Sequence, residues 1–414
     1  MTDVRTNALN EDPEALAEPD EVSAAVEAAI ERDLPYWVAL HRVHRLGSVR
    51  FAILEAAFPT LEAAWHASRG ELQAAGLDAR TAGAIEQERD RTTPAIEVER
   101  LVEAGITPIA RPQAAYPDRL REIGDAPPVI YVRGALTSDD EWSVAVVGTR
   151  RATAYGRQAT AELARGLAAN RVTVVSGLAR GVDTIAHRTA LDTGGRTIAV
   201  LASGLDTIYP PENATLAREI TERGALVSDY PLGTKPRADF FPRRNRIMSG
   251  LALGTMVVEG DFKSGAMITA RFATEQNREV FAVPGSIFSP QSRGPNSLIR
   301  DGATPISSAD EVLEALNLTM VGAQMDFSRA APPASEEERA LMTALSREPR
   351  HIDEVVRASG LAAGVVSGTL ALLELKGLVR NVGAMHYARV REDAASYDVE
   401  PHHEGDRTAE APRG

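Results

Sequence analysis

An α/β fold built on a doubly wound sheet, with a small all-helical unit before it and a winged helix after it, is predicted by three observations on the 414-residue sequence. Seven short runs rich in Val, Ile and Ala, most of them closed by glycine, alternate with helical patterns between residues 129 and 285. Ahead of them, from Leu34, apolar residues recur at helical spacing without a strand-like run. Behind them, past a proline-bearing stretch, three helical patterns and a two-strand hairpin fit within about 55 residues.

Residues 1–26 hold Ala, Glu, Asp and Pro with no aromatic and few large apolar side chains. They bury too little surface to offset chain entropy and are expected to form a disordered acidic tail. Residues 27–95 are expected to form the helical domain. Breaks at Leu46-Gly47-Ser48, Phe58-Pro59-Thr60 and Gly76-Leu77 divide it into short helices of SAM or helix-hairpin-helix type. Such turns offer backbone amides to phosphate, or the helices serve only as a packed bundle for contacts.

Residues 96–318 carry the sheet. Its strands are read at VIYVRG (129–134), SVAVVG (143–148), RVTVVSG (171–177), TIAVLASG (197–204), ALVSDY (225–230), GTMVVEG (254–260) and EVFAVPG (279–285). Helical patterns such as GRQATAELARGLAAN and GVDTIAHRTALDTG lie between them, which implies a parallel sheet covered on both faces in an extended Rossmann-like domain. Residues 319–334, with AAPPAS, form a linker. In 335–392, Ser335 and Glu338 open a first helix, HIDEVVRASG gives a second, AAGVVSGTLALLELKG a third ending at Gly377, and LVRNVGAMHYARV the hairpin of the wing. Residues 393–414 are a second acidic tail, also expected to be disordered.

A net charge of −13 argues against nucleic acid until its position is known. Residues 1–32 hold nine acids against two bases and residues 391–414 seven against three, which leaves −2 for the body. With no cysteine there is no disulfide frame, thiolate metal site or cysteine nucleophile. The first residues lack a basic flank with an apolar core, and no run of eighteen apolar residues occurs, so a cytoplasmic protein without a membrane span is expected.

The stretch VAVVGTRRATAYGR (144–157) runs from strand into turn as a cofactor cradle does. A dinucleotide site needs Gly-x-Gly-x-x-Gly there; instead Thr149, Arg150, Arg151, Ala152, Thr153, Ala154 and Tyr155 follow Gly148, with Arg150 filling the space a pyrophosphate needs. No Gly-x-x-x-x-Gly-Lys-Ser/Thr loop occurs either, and no cofactor is expected. What remains at the carboxyl ends of the strands is cationic. KPRADFFPRRNRIMSG sets Lys235, Arg237, Arg243, Arg244 and Arg246 against Asp239 alone, with Phe240 and Phe241 among them. Bases interleaved with aromatics suit single-stranded nucleic acid, since cations hold the backbone while rings stack on unpaired bases. The competing reading makes Arg244 and Arg246 internal ion-pair partners and Phe240 a core residue. Lys263-Ser264-Gly265 ahead of a helix is a second phosphate seat, and Ser176-Gly177 with Arg180-Gly181 a third turn of that kind. Asp183 and His187, four apart on a helix, permit metal ligation or a proton relay; without a third ligand in register a structural pair is expected, and no metal.

Six motifs in order over residues 144–303 closely resemble the DNA processing protein A family, DprA, also called Smf: VVGTRRATAYG, SGLARGVDTIAH, LASGLDTIYPPEN, SDYPLGTKPRADFFPRRNRIMSGLA, VVEGDFKSGAMITA and VFAVPGSIFSPQSRGPNSLIRDGA. The resemblance implies a cytosolic, non-enzymatic homodimer that binds and protects single-stranded DNA. It further implies that the protein promotes loading of the RecA recombinase in natural transformation and homologous recombination. The DNA pocket it implies comprises Gly148, Thr149 and Arg150 in the first turn, Gly177, Phe241 as the base-contacting aromatic, Arg244, Asn245 and Arg246 of RRNR, and Lys263, Ser264 and Gly265. The glycines would let backbone amides reach phosphate.

The third helix of the winged domain departs from a DNA reader. It holds Lys376 as its only base beside Glu374, and its small apolar surface suits a protein contact or intramolecular docking. Two rival functions are carried forward. Lysine-decarboxylase-like phosphoribohydrolases share a related Rossmann fold but need Pro-Gly-Gly-x-Gly-Thr-x-x-Glu, where this chain has VVEGDFKSGAMITA with Glu259 upstream of the glycine. General nucleic-acid packaging is the other. The acidic tails, as mimics of DNA, could compete for the basic pocket.

Overall fold

The structure, a computed structural model, describes residues 19–318, 335–346, 350–375, 378–383 and 385–389. Helices α1 (Pro19–His41), α2 (Ser48–Ala57), α3 (Leu61–His66), α4 (Arg69–Ala74), α5 (Ala79–Arg89) and α6 (Pro94–Glu103) come first. Three of the short ones start on polar caps. Thr60 accepts from the Ala63 amide, Ser68 and Glu71 form a capping box, and Asp78 accepts from the amides of Arg80 and Thr81. Helix α1 begins at Pro19, inside the segment expected to be a disordered tail through residue 26. Proline suits a first helical turn, and the Ala- and Glu-rich run behind it favours helix by propensity alone. Trp37, Leu40, Phe51, Leu54, Leu61, Leu72 and Ile85 are buried in a core that continues into Ile106, Tyr131, Ile220 and Leu226. The helical part and the sheet therefore share one compact unit that ends at Leu318.

Strands β1 (Thr107–Ala110), β2 (Val129–Gly134), β3 (Ser143–Val147), β4 (Thr173–Ser176), β5 (Thr197–Val200), β6 (Ala225–Ser228), β7 (Gly254–Val257), β8 (Glu279–Ala282) and β9 (Thr304–Pro305) form one sheet in the order β1-β2-β6-β5-β4-β3-β7-β8-β9. From β6 to β9 the strands run parallel, whereas β2 pairs antiparallel with β6 and β1 antiparallel with β2. The expected parallel sheet is thus corrected to a mixed one. Residue type gives a buried strand its Val/Ile content but not its direction, which the chain path sets through α7 (Asp118–Arg121) between β1 and β2.

Helices α8 (Ala154–Ala169), α9 (Val182–Asp192) and α10 (Ala214–Arg223) cover one face of the sheet, and α11 (Phe240–Leu251) and α12 (Gly265–Glu275) the other. Helix α13 (Arg293–Arg300) packs by β8, and α14 (Ala309–Ala315) closes against α8. The chain lays β3 to β6 outward in one direction, then crosses back to set β7 on the far side of β3. That reversal opens a crevice beyond the carboxyl ends of β3 and β7, the place where doubly wound sheets hold ligands.

The second unit is described by itself. Helices α15 (Glu336–Ala344), α16 (Ile352–Ser359) and α17 (Ala363–Leu375) pack Leu341, Val355, Val366, Leu370 and Leu373 into a core. Strands β10 (Arg350–His351), β11 (Val379–Gly383) and β12 (His386–Arg389) add an antiparallel sheet in the order β10-β12-β11, which completes a winged helix. Ser335 caps α15 by accepting from the Glu338 amide at 3.2 Å, and Gly360 ends α16 at φ +69°. Residues 1–18, the linker, Lys376, Gly377 and the carboxyl-terminal tail lie outside the described residues. No single described helix is long and apolar enough to cross a membrane.

Candidate nucleic-acid interface

In a dinucleotide-binding sheet the helix after the first strand turns its N-terminus to a ligand phosphate. Here that seat is taken by the protein itself. Glu259, 1% exposed beyond the end of β7, accepts from the Thr153 amide at 2.9 Å and from the Thr153 hydroxyl at 2.5 Å, at the start of α8. A Cβ at Gly156 would collide with this carboxylate, so only glycine lets the helix close on it. The Thr149 amide donates to the Glu259 carbonyl at 2.7 Å and ties the turn after β3 to β7. An internal anion thus satisfies the helix terminus. Arg150, expected to fill that space, turns outward and is exposed.

Its guanidinium lies 5.2 Å from the centre of the Phe241 ring, and Tyr209 meets the same ring edge-on at 5.7 Å. Phe240, half-buried rather than core, stacks on Tyr230 at 4.4 Å, with Arg237 at 5.1 Å from its ring centre. Arg150, Lys235, Arg243 and Lys263 are exposed, and among the described residues none of them is paired with a carboxylate. Arg180 and Arg237 are engaged, with Glu212 and Asp239 respectively. The carboxyl edge of the sheet thus presents free cations beside partly exposed rings.

Of the residues expected at the DNA surface, Arg244 and Asn245 are buried and Arg246 is half-buried. Arg244 is 3% exposed; its Nη1 donates to the Gly177 carbonyl at 2.7 Å and to the Val200 carbonyl, and its Nε to Asn245 Oδ1 at 3.2 Å. Burial lowers its pKa to about 10 against the opposing pull of Asp183, so it remains a cation at neutral pH and fastens β4 and β5 to α11. Asn245 donates to the Gly265 carbonyl at 3.1 Å and fixes the first turn of α12. Arg246 pairs with Asp229 at 2.9 Å and Asp125 at 3.3 Å. The reason is helical period: Arg244 shares the inward face of α11 with Ile247, Met248 and Leu251, and Arg243 faces outward. That spacing was the signal available in the sequence.

Gly177 and Gly148 sit where neighbouring side chains pack closely against the backbone. The Gly177 amide donates to Asp183 at 3.1 Å, and a Cβ there would strike the Arg244 guanidinium. At Gly148 a Cβ would lie 2.5 Å from Val182 Cγ2 at the start of α9. Thr149 lies half-buried in the same turn, its carbonyl accepting from the Val182 amide at 3.2 Å. Lys263 and Gly265 stand exposed on either side of Ser264 at the N-terminus of α12, whose Oγ is buried without a hydrogen-bond partner.

Asp183 and His187 are buried, and each is held by hydrogen bonds of its own. Asp183 accepts from the Gly177 and Ala179 amides; His187 Nε2 accepts from the Leu178 amide at 3.3 Å, and its Nδ1 meets the Thr197 hydroxyl at 2.7 Å. Because that hydroxyl donates to the Val174 carbonyl, Nδ1 carries the proton and the ring is neutral. Burial drives the His187 pKa down from 6.5 to about 3. The folded state disfavours the charged ring, so this contribution to stability is complete above about pH 6.5 and lost as pH falls toward the lowered value. At pH 5 the loss is expected to be about 2 kcal/mol. Thermal unfolding of the parent and His187→Gln between pH 7 and 5 checks it: the parent should lose stability more steeply.

Residues 107–317 match the family model described as DNA recombination-mediator protein A, and residues 325–384 match the DprA winged helix domain. Protein Smf of Synechocystis is 34% identical over 392 residues, covering 86% of this chain and 98% of that protein. DNA processing protein DprA of Bacillus subtilis is 44% identical over 215 residues, 52% of this chain and 72% of its own length. Among solved structures, the X-ray structure of DprA from Streptococcus pneumoniae superposes with a TM-score of 0.58 at 32% identity, covering 68% of this chain and 97% of that one.

Proposed function

Because this chain belongs to the DprA family of DNA-processing proteins, we propose that it binds single-stranded DNA along the carboxyl edge of its sheet and presents it to a RecA-type recombinase. The observation that carries this is the pairing of unneutralised cations with accessible rings, above all Arg150 at 5.2 Å from the Phe241 ring. Cations track the phosphates and rings stack on unpaired bases, which duplex DNA keeps inside its helix. A cytoplasmic homodimer without cofactor is the working form, and natural transformation or another recombination task the setting.

The role is binding and protection rather than catalysis. The pattern a nucleotide hydrolase needs carries its glutamate downstream of the glycines, whereas Glu259 lies upstream of Gly260, buried and committed to Thr153. No free base is therefore expected on incubation with AMP.

The test is titration with matched single-stranded and duplex oligonucleotides, followed by recombinase strand exchange on the coated strand. A single-strand preference of at least about tenfold, with faster exchange, is expected. Equal affinity for both forms would remove the stacking claim, and unaltered exchange would leave a packaging protein.

A further inference from the structure

Two exposed phenylalanines lie outside the pocket described above. Phe262 is 55% and Phe288 89% exposed, with Ile287 beside it at 80%. Each ring stands at the tip of a hydrogen-bonded turn. The Ser264 amide donates to the Asp261 carbonyl at 2.9 Å across Phe262 and Lys263, and the Ser289 amide to the Ser286 carbonyl at 3.0 Å across Ile287 and Phe288. Side chains brace the same turns: the Phe262 amide donates to Asp261 Oδ1 at 2.9 Å and the Phe288 amide to Ser286 Oγ at 3.3 Å.

The segments that flank the two turns are hydrogen-bonded to one another. The Gly260 amide donates to the Gln291 carbonyl at 2.7 Å, and the Gly294 amide to the Gly260 carbonyl at 2.8 Å. They follow β7 and β8, the next two strands after β3 in the sheet. Two strand spacings set the second turn about 10 Å from the Arg150 turn, about three bases of a stacked strand at roughly 3.4 Å each.

We propose that Phe262 and Phe288 form a second base-stacking platform that lengthens the single-strand track from the Arg150–Phe241 pocket across the ends of β7 and β8. This rests on the single-strand reading above and deepens it. Lys263, adjacent to Phe262 and without an acidic partner among the described residues, supplies the phosphate contact between the two platforms. Charge decides the occupant: a neutral protein surface needs no unpaired lysine between its aromatics, whereas a nucleic-acid backbone does.

The experiment compares oligothymidylates of about 4 and about 12 nucleotides on the full chain, in the parent, Phe262→Ala/Phe288→Ala and Phe262→Trp/Phe288→Trp. The parent gains affinity with length. The alanine pair is expected to lose about 100-fold of that gain, about tenfold per ring, and the tryptophan pair to restore it. A length gain intact in the alanine pair overturns the platform. If the gain is intact while the sedimenting mass changes, the rings belong to a contact between protein chains, and the platform is equally overturned. Failure of the underlying reading looks different: Arg150→Ala/Lys263→Ala would then leave binding of the short oligonucleotide unchanged.

Discussion

Replacing Arg150 and Lys263 together by alanine is expected to weaken single-strand binding by about 100-fold or more, since each charge-assisted phosphate contact contributes about 1.5–3 kcal/mol. The loss should be the same for all base sequences, because phosphate contacts carry no sequence information. Thermal stability should hardly move. Both side chains are exposed, and neither is paired with a carboxylate among the described residues. Anisotropy titration with oligonucleotides of several sequences, beside a melting curve, separates the two effects.

Arg244→Ala is expected to do the reverse. It strips the donors from the Gly177 and Val200 carbonyls and from Asn245 Oδ1, and opens a cavity beneath the turn that ends β4. Orphaned buried acceptors and lost packing together cost about 3–5 kcal/mol, a fall in melting temperature of roughly 10 °C. Arg244→Lys keeps the charge but not the fork, and should recover only part of it. A melting temperature unchanged in Arg244→Ala would show the side chain free to face solvent, and would return it to the DNA surface.

These two arginines mark how far the sequence could be read. The runs that became β2 to β8 were legible because buried strands are short, β-branched and closed by turn residues. Strand β1 was not, since TPIA carries a proline and a single β-branched aliphatic residue, and the two-residue β9 offers no pattern at all. The direction of β2 depends on the chain path, which no residue type records. At the site, residue types were readable and their faces were not. RRNR gives four polar side chains of which the helix period sends Arg243 out and Arg244 in, and Arg246 finds Asp125 and Asp229, each more than ten residues away in sequence. Tyr209 was missed because its approach to Phe241 joins the segment after β5 to the first turn of α11, which follows β6. In the sequence Glu259 reads only as an acid ahead of a glycine, and its place under α8 emerges once β7 returns beside β3.

The exposed cations, not the internally bonded Arg244 and Arg246, are proposed to neutralise the phosphates. The measurement that tests this claim most directly is the slope of log affinity against log salt for single-strand binding. Arg150, Lys235, Arg243 and Lys263 predict a slope of roughly −3 for the parent, falling to roughly −1.5 in Arg150→Ala/Lys263→Ala. A slope that stays at the parent value in that variant would contradict the claim.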